Sequence, residues 1–244
     1  MRSGQFAAAY HGCVEVGANL WNFYLSAAGA TRCECPACGY IGASFVATSN
    51  WRAVTFQSKC PQCDSRSRHR GLIATLPRIL PRIPSGRLLF FAPEGVLLER
   101  LHELSEHAVA TTDFKSSDVD YPGEDIQGLS FADGSFTGLL CNHVLEHVVD
   151  DEQALRECAR VLAPGGIAVF TIPGDFAKSA TWNFMSPDAN GHWRHYGCDV
   201  IEKMRRLFAK VEAIDMSYVA ESKHRVRRQD YVFVCTKHSP VGPA

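Results

Sequence analysis

The chain has 244 residues, of which 46% are apolar, and a formal net charge of −1. This length fits one ordinary domain with an appended module, and the apolar fraction is enough to bury a sizeable core. A nearly neutral chain lacks an overall field that would select nucleic acid or a membrane surface. No stretch approaches the roughly 20 apolar residues that a membrane-spanning helix needs, and the N-terminus lacks a secretory pattern. We therefore expect a cytoplasmic protein with no membrane partner.

Residues 1–30 form the first predicted segment, a helix rich in apolar and aromatic side chains. A break in this helix is expected near Gly12 or Gly17. Two interpretations of the segment stay open, a helix that packs on the main domain and a lid over a substrate pocket. We prefer the first.

Residues 31–70 contain two CPxC sequences, Cys35-Pro-Ala-Cys38 and Cys60-Pro-Gln-Cys63, with 21 residues between Cys38 and Cys60. Two such turns supply four thiolates, which suit a tetrahedral zinc ion in a small zinc ribbon. Because thiolates would fill all four positions, we expect the Zn2+ to be structural rather than catalytic. Cys33 is a fifth nearby thiol and an alternative to Cys35, although Cys35 has the partner spacing of the second pair.

The basic sequence SRSRHR follows the second cysteine pair and leads into a predicted helix over about residues 66–80. One interpretation is contact with nucleic acid or phosphate. The other is that these side chains bond the ribbon to its surroundings, which the near-neutral charge of the chain favours. Pro77, Pro81 and Pro84 are expected to end the helix, so that residues 71–85 form a helix and a linker.

The strongest pattern lies within residues 137–173. A short apolar run ends in a polar cluster, a helical stretch follows, and Pro-Gly-Gly then precedes a second apolar run over residues 167–172. Strand, helix and strand in this order predict one βαβ unit of a parallel sheet. Such sheets bind ligands beyond the carboxyl ends of their strands. The polar cluster is therefore a candidate site, and it comprises Asn142, His143, Glu146 and His147.

This stretch resembles the class I S-adenosylmethionine-dependent methyltransferases, of the methyltransferase type 11-like kind and of a subgroup with an N-terminal zinc ribbon. The resemblance covers about residues 86–236 and is carried by residues that match the family pattern in order: Phe131, Asp133, Ser135, Phe136, His143, Val144, Leu145, Glu146, His147, Ala154, Leu155, Glu157, Arg160, Val161, Leu162, Pro164, Gly165 and Gly166. It implies an α/β fold, with a Rossmann-like seven-stranded methyltransferase sheet and helices on both faces. This domain would occupy residues 86–244, after the N-terminal helix and the zinc ribbon.

The end of the chain is expected to complete this sheet. Apolar runs over residues 211–219 and 231–236 are the predicted last strands, an antiparallel hairpin with the basic residues 223–228 at its tip. A helix is predicted before them, over residues 198–208. Residues 241–244 are expected to form a frayed tail.

The resemblance also implies a site for S-adenosyl-L-methionine. Asp113 ends the predicted second strand, where a carboxylate suits the two ribose hydroxyls. Asp125 would accept a hydrogen bond from the adenine amino group, and Ile126 would pack on the ring. Further contacts are expected at the ends of the first and fourth strands, from Phe91, Ala92, Glu94, Gly95, Asn142 and His143.

The loop after the first predicted strand departs from the glycine-rich pattern of most class I members. Ala92 and Glu94 stand where glycines are expected, and the FAPE sequence instead resembles the subgroup with zinc knuckles. We expect the backbone of Ala92 and Gly95 to bind the methionine end, with Glu94 replacing the missing acid.

Three residues are candidate catalytic groups: His143, His195 and Tyr196. An unperturbed imidazole titrates near pH ~6.5, which suits a general base. His195 and Tyr196 lie in an aromatic segment over residues 181–197 without clear periodicity, which is either a substrate wall or a surface loop. Similar enzymes carry the HVLEH sequence without a catalytic histidine, so the resemblance does not require a base.

Three functions remain in competition. The first is methyl transfer to a small-molecule substrate through an O, N or C nucleophile, which the near-neutral charge favours. The second is an RNA methyltransferase that uses the zinc ribbon to recognise nucleic acid. The third is a degenerate protein that binds the cofactor or serves as a scaffold, which the altered loop after the first strand suggests. The sequence leaves the oligomeric state open.

Overall fold

The computed structural model describes residues 2–49 and 53–239, with side chains from Ala7 onward. The predicted frayed tail lies outside these residues. Among the helices that the structure describes, none combines the length and the apolar character that crossing a membrane requires. The described chain divides into two compact units. The first runs to Thr75 and includes Met216–Arg228, and the second comprises Leu76–Asp215 and the described residues from Gln229 onward.

The first unit begins with a long helix and continues with four short strands and a second helix: α1 Arg2–Ala27, β1 Cys33–Glu34, β2 Ile41–Gly42, β3 Val46–Ser49, β4 Val54–Lys59 and α2 Ser67–Ile79, which continues into the second unit. Helix α1 is continuous through Gly12 and Gly17, so the predicted break is wrong. The side chain of Asn19 on α1 bonds both the N–H and the carbonyl of Ala47 on β3. This part of the helix is therefore fastened to the β3–β4 hairpin.

The second unit alternates strands and helices in the following order: β5 Arg87–Phe91, α3 Gly95–Leu104, β6 Ala108–Asp113, β7 Tyr121–Pro122, β8 Phe136–Asn142, α4 Asp151–Val161, β9 Leu162–Thr171, β10 Trp182–Asn183, β11 Arg194–His195, α5 Val200–Arg205, β12 Lys210–Asp215 and β13 Tyr231–Thr236. Seven of these strands form one sheet in the order β12-β13-β9-β8-β5-β6-β7. The neighbours from β9 to β7 are parallel. Strand β13 is antiparallel to both β12 and β9. The predicted seven-stranded α/β fold and its terminal hairpin are confirmed.

Alternating side chains of the central strands reach opposite faces of this sheet. One face joins Leu89 and Phe91 of β5 with Leu139 and Cys141 of β8 in a single buried cluster. Helices α4 and α5 cover this cluster with their buried apolar residues: Ala154, Leu155, Cys158, Val161, Val200 and Met204. Both helices are amphipathic because only this stripe faces the sheet.

Several element boundaries differ from the sequence-based ones. Strand β7 has two residues, so Asp125 and Ile126 lie in the loop after it rather than in a strand. Strand β12 ends at Asp215, and the basic residues predicted for a hairpin tip belong to the first unit. Helix α2 continues two residues past Pro77, which therefore does not end it.

The order of the strands creates a crevice at one edge of the sheet, where folds of this kind bind ligands. Strands β5 and β8 are neighbours, but β5 leads through α3 to β6 on one side and β8 leads through α4 to β9 on the other. A crevice therefore opens between the two diverging connections, at the carboxyl ends of these strands. The fold places this crevice beside the residues that the sequence singles out.

Gly138 provides a test of how closely the sheet is packed. A Cβ atom on Gly138 of β8 would lie 2.9 Å from Cγ2 of Ile83. We expect Gly138→Ala to lower the free energy of unfolding by about 1–3 kcal/mol through overpacking. Gly128→Ala is the matched control, because nothing lies within 4 Å of the added carbon there. Urea unfolding measures both variants, and equal stabilities would contradict this packing.

Candidate active site

A cavity of about 450 Å³ opens at the carboxyl ends of β5, β6 and β8. Six of the predicted cofactor residues line it: Phe91, Ala92, Asp113, Asp125, Ile126 and His143. Residues without a predicted role complete much of the wall, among them Thr112, Phe114, Gln127 and Val144. The cavity has the size of a small-molecule site and combines apolar walls with a few charged groups.

Two residues of the cavity wall have left-handed backbone conformations without being glycine. Ala92 follows β5 with φ of 46°, and His143 follows β8 with φ of 53°. The N–H of Ala92 donates to the carbonyl of Thr112 at 2.8 Å, and the N–H of His143 donates to the carbonyl of Thr171 at 2.9 Å. Each bond ties the turn to the neighbouring strand and maintains a conformation that is unfavourable for a residue with a Cβ. Ala92 thus makes the turn at a position where the resemblance led us to expect glycine.

The two predicted cofactor acids each shape the loop that carries them. Oδ1 of Asp113 accepts from the backbone N–H groups of Lys115 and Ser116 at 2.6 and 2.7 Å. Oδ1 of Asp125 accepts from the backbone N–H of Gln127 at 2.9 Å. These turns hold both carboxylates at the cavity wall.

Glu94 and Asn142 are predicted cofactor residues that pair with each other beside the cavity. The Asn142 amide donates to Oε2 of Glu94 at 2.5 Å, and its oxygen accepts from the hydroxyl of Thr171. This chain of bonds joins the loop after β5 to the ends of β8 and β9. Gly95 begins α3, with Glu94 as its N-cap residue.

His143 has a buried carboxylate as its partner. Its Nδ1 lies 3.0 Å from Oε1 of Glu146, whose side chain is 0% exposed. An ionised carboxylate only accepts, so Nδ1 of His143 is the donor to an ionised Glu146. His143 also lines the cavity. The contact with Glu146 thus fixes one side of the imidazole at the cavity wall.

The aromatic segment that the sequence left undefined is bound to the HVLEH sequence. The N–H of Trp193 donates to the carbonyl of Glu146 at 2.7 Å. The guanidinium of Arg194 donates to the carbonyls of Leu145 and Val149 at 3.1 and 2.6 Å. Three different donors thus hold the segment against the end of β8, so it is a fixed part of the structure here.

His195 and Tyr196 do not line the cavity at the ends of β5, β6 and β8. His195 is exposed on β11. Tyr196 is 1% exposed, and its hydroxyl bonds the carbonyl of Leu145 and Oδ2 of Asp151 at 3.2 and 3.1 Å. Burial raises the pKa of Tyr196 well above its usual range. Tyr196 is therefore buried, and its hydroxyl bonds interior groups, so its catalytic role stays a prediction.

A separate cluster of sulfur atoms lies in the first unit. The four predicted ligands, Cys35, Cys38, Cys60 and Cys63, have Sγ atoms within 4.8 Å of one another. Cys33 is not among them, and its Sγ lies 3.3 Å from the carbonyl of Gly42. Gly39 and Asp64 follow the two cysteine turns with φ of 73° and 59°, so each pair closes through a left-handed residue.

Arg70 is the one basic residue of SRSRHR whose side chain is both fully buried and central to this unit. Its guanidinium donates to the carbonyls of Ser65, Gln57 and His224 at 2.6, 2.9 and 2.8 Å. Its carbon Cζ also lies 3.9 Å from the ring centre of Phe45. These contacts give Arg70 the internal role that was one of the two interpretations of the basic sequence.

Comparison with known proteins shows a similarity to methyltransferases within the second unit. Residues 98–170 match the family model described as "Methyltransferase domain". Over 76 residues the chain is 40% identical to a ubiquinone biosynthesis O-methyltransferase of Xanthomonas oryzae pv. oryzae, and 38% identical to one of Xanthomonas campestris pv. campestris. The match covers 31% of this chain and spans only 28% of the length of these curated relatives.

Solved structures share the fold at low sequence identity. A 1,6-didemethyltoxoflavin-N1-methyltransferase of Burkholderia thailandensis, with S-adenosylhomocysteine bound, has a TM-score of 0.53 at 16% identity and covers 70% of this chain and 79% of its own. A phosphoethanolamine N-methyltransferase of Haemonchus contortus has a TM-score of 0.51 at 15% identity. The alignment covers 75% of this chain and 55% of that protein. The second unit thus shares the fold of these methyltransferase structures, and it contains the stretch that matches the methyltransferase family model.

Tyr196 supplies a test of this bonding role. Tyr196→Phe removes the hydroxyl that bonds Asp151 in the interior, so we expect the free energy of unfolding to fall by about 1–3 kcal/mol. Tyr218→Phe is the control, since Tyr218 is 79% exposed and its change should stay within about 0.5 kcal/mol. Urea unfolding measures both. A Tyr196→Phe protein of full stability that has lost methyl transfer would instead favour Tyr196 as a catalytic residue.

Proposed function

We propose that the protein is a methyltransferase that uses S-adenosyl-L-methionine and acts on a small-molecule acceptor. The observation that carries the proposal is one cavity lined by Ala92, Asp113, Asp125 and His143, at the strand ends where this fold binds ligands. Its volume and its few charged groups suit a cofactor with a small acceptor. The bound cofactor supplies an electrophilic methyl group on a sulfonium sulfur.

The residues at the cavity fit this cofactor. Asp113 has a second carboxylate oxygen beyond the one that its own turn uses, and it is the proposed acceptor for the ribose hydroxyls. Asp125 and Ile126 are the proposed adenine contacts, a charged acceptor beside an apolar side chain. The left-handed turn at Ala92 exposes backbone groups to the methionine end, with Glu94 and Asn142 next to it.

His143 is the proposed general base. The acceptor atom, an oxygen, nitrogen or carbon, forms a bond to the methyl carbon as the bond from that carbon to sulfur breaks. Where the acceptor must lose a proton, Nε2 of His143 takes it, because Nδ1 is held by Glu146. Much of the remaining rate enhancement would come from orienting the two reactants. His195, which is exposed outside this cavity, is left as a candidate for contact with a larger acceptor.

The relatives support the small-molecule class of acceptor. The matched curated proteins are named for ubiquinone biosynthesis and for O-methylation. An oxygen acceptor is therefore our first choice. The burial of Arg70 takes one of the cations of SRSRHR away from any nucleic-acid surface, so RNA is the weaker candidate.

We further propose that the sulfur cluster holds one structural zinc ion. A zinc–sulfur bond of about 2.3 Å places neighbouring sulfurs of a tetrahedral site about 3.8 Å apart. The Sγ atoms of Cys35 and Cys63 lie 3.7 Å apart, and those of Cys38 and Cys60 lie 3.6 Å apart. Four thiolates around a divalent ion carry a net charge of about −2, and the buried guanidinium of Arg70 would offset part of it. Reduced, metal-bound cysteines are also what supports a cytoplasmic location.

Asp113 tests the cofactor proposal. Asp113→Asn keeps one oxygen for the turn to Lys115 and Ser116 but replaces the other oxygen with an NH2 donor. We expect S-adenosylhomocysteine to bind at least about ten-fold more weakly, as fits the loss of a hydrogen bond to a charged group. Calorimetric titration measures the affinity, and Asp118→Asn in the same exposed loop should leave it unchanged. Absence of binding to the unaltered protein would contradict the proposal, and so would equal affinity in the two Asp variants.

The two nearby cysteines test the zinc site. A thiol-blocking mercurial should release about one zinc per chain from the unaltered protein, because a closed site has four thiolate ligands. Cys35→Ser should abolish this release, and Cys33→Ser should retain it because Cys33 lies outside the sulfur cluster. If the Cys35→Ser protein still releases zinc and the Cys33→Ser protein does not, Cys33 rather than Cys35 is the ligand. No thiol-dependent zinc at all would overturn the site.

A further inference from the structure

A second cluster of metal-ligating side chains lies beside the proposed active site. Glu146, His147 and His192 each offer a ligand atom, and these three atoms lie within 4.8 Å of one another. His147 and His143 also line the cavity. The proposed cofactor site does not use Glu146 Oε2, His147 or His192.

Glu146 gives the strongest indication of a ligand. Its side chain is 0% exposed, and among the described residues no hydrogen-bond partner is found for Oε2, while Oε1 accepts from His143. A buried carboxylate oxygen without a partner is costly, and such oxygens are normally paired or bound to a metal. The two oxygens of Glu146 thus differ, because Oε1 is paired with His143 and Oε2 is buried without a partner.

The two histidines are held in a form that suits metal binding. Nδ1 of His147 lies 3.2 Å from the carbonyl of Gly191. A carbonyl only accepts, so this nitrogen carries the proton and Nε2 keeps the lone pair. A metal-bound histidine usually donates its other ring N–H to such a carbonyl or carboxylate. The rings of His147 and His192 meet edge to face with their centres 4.8 Å apart.

A turn that Asp188 stabilises fixes the position of the His192 backbone. Oδ1 of Asp188 accepts from the backbone N–H of His192 at 2.9 Å, and Oδ2 lies 3.8 Å from its Nδ1. The next residue, Trp193, is bonded to the carbonyl of Glu146. The three side chains therefore come from two chain segments, one with Glu146 and His147 and one with His192, which a backbone hydrogen bond joins.

We propose that Glu146, His147 and His192 form a binding site for a first-row divalent cation at the edge of the active-site cavity. Two imidazoles and one carboxylate form a donor set that binds zinc, iron or cobalt ions and leaves coordination positions open. Bonds of about 2.1 Å place neighbouring donors of a tetrahedral ion about 3.4 Å apart. The three ligand atoms, which lie within 4.8 Å of one another, would therefore have to approach each other by roughly 1–1.5 Å at most when an ion binds. Small rotations of the side chains cover this distance.

This site would define the acceptor more narrowly, and that step depends on the proposed methyltransferase function. An open position on the ion takes an oxygen ligand, and a bound hydroxyl loses its proton more easily. The acceptor would then be an oxygen compound able to coordinate the ion, with Nε2 of His143 available for the proton. The ion would be separate from the structural zinc of the sulfur cluster.

Cobalt(II) provides the test, because its absorption distinguishes thiolate ligands from nitrogen and oxygen ligands. The complete, zinc-loaded protein is titrated with Co2+ and followed by absorption and calorimetry. We expect about one further ion per chain, with weak visible bands and no thiolate-to-cobalt charge-transfer band. Glu146→Gln and His192→Ala should each weaken cobalt binding at least about ten-fold.

His102→Ala is the matched control, since His102 is exposed on α3, and it should bind Co2+ like the unaltered protein. The same proteins are titrated with S-adenosylhomocysteine, so that a misfolded variant is recognised. No cobalt binding by the zinc-loaded protein, or undiminished cobalt binding by a folded His192→Ala protein, would overturn the ion site. If S-adenosylhomocysteine still binds in that case, the proposed function stands and only this inference fails.

Discussion

Glu146 imposes the constraint around which the candidate site is built. Its carboxylate is fully buried at the end of β8, in a position where a charge is costly unless it is paired. Its Oε1 forms a hydrogen bond with Nδ1 of His143, and its backbone carbonyl accepts a hydrogen bond from the N–H of Trp193. Glu146 therefore orients the proposed base through its side chain and holds the aromatic segment after β9 through its backbone carbonyl. A change at Glu146 would disturb both at once.

The parallel sheet supplies the second constraint. Strands β5, β6 and β8 end at one edge, and the chain must turn there without blocking the cavity. Left-handed residues at Ala92 and His143 make two of these turns, each held by a backbone bond to the neighbouring strand. Unfavourable backbone conformations of this kind cost about 1–3 kcal/mol and are concentrated at functional sites. Their presence at a cavity lined by Asp113 and Asp125 agrees with a working site rather than a degenerate one.

Local sequence patterns predicted the parts of this protein that depend on local chemistry. The two CPxC turns were sufficient to identify the sulfur cluster, because each turn brings its own pair of thiols together. The end of β6 at Asp113 and the βαβ unit around β8 and α4 followed from apolar periodicity and from the family pattern. The choice between Cys33 and Cys35 needed the structure, since only the fold shows which sulfur points to the other three.

Long-range packing determined what the sequence could not show. Tyr196 looked like a reactive residue in an aromatic loop, but Asp151 and Leu145, distant in sequence, enclose its hydroxyl. Residues 223–228 were predicted for a hairpin tip, yet the carbonyls of His224 and Arg225 accept hydrogen bonds from the buried Arg70 of the first unit. His192 gave no signal of its own, because its significance depends on Glu146, which lies 46 positions earlier in the chain. The spacing of His143, Glu146 and His147 was visible in the sequence, but the burial of Glu146 was not.

The central claim is that the cavity at the carboxyl ends of β5, β6 and β8 binds the methyl donor. A crystal structure of the protein with S-adenosylhomocysteine tests this claim most directly. The account predicts that the ribose hydroxyls lie within hydrogen-bonding distance of Asp113, that the adenine lies against Ile126 near Asp125, and that the sulfur faces His143. Electron density for the ligand at any other place, or an unfilled cavity at saturating ligand, would contradict it.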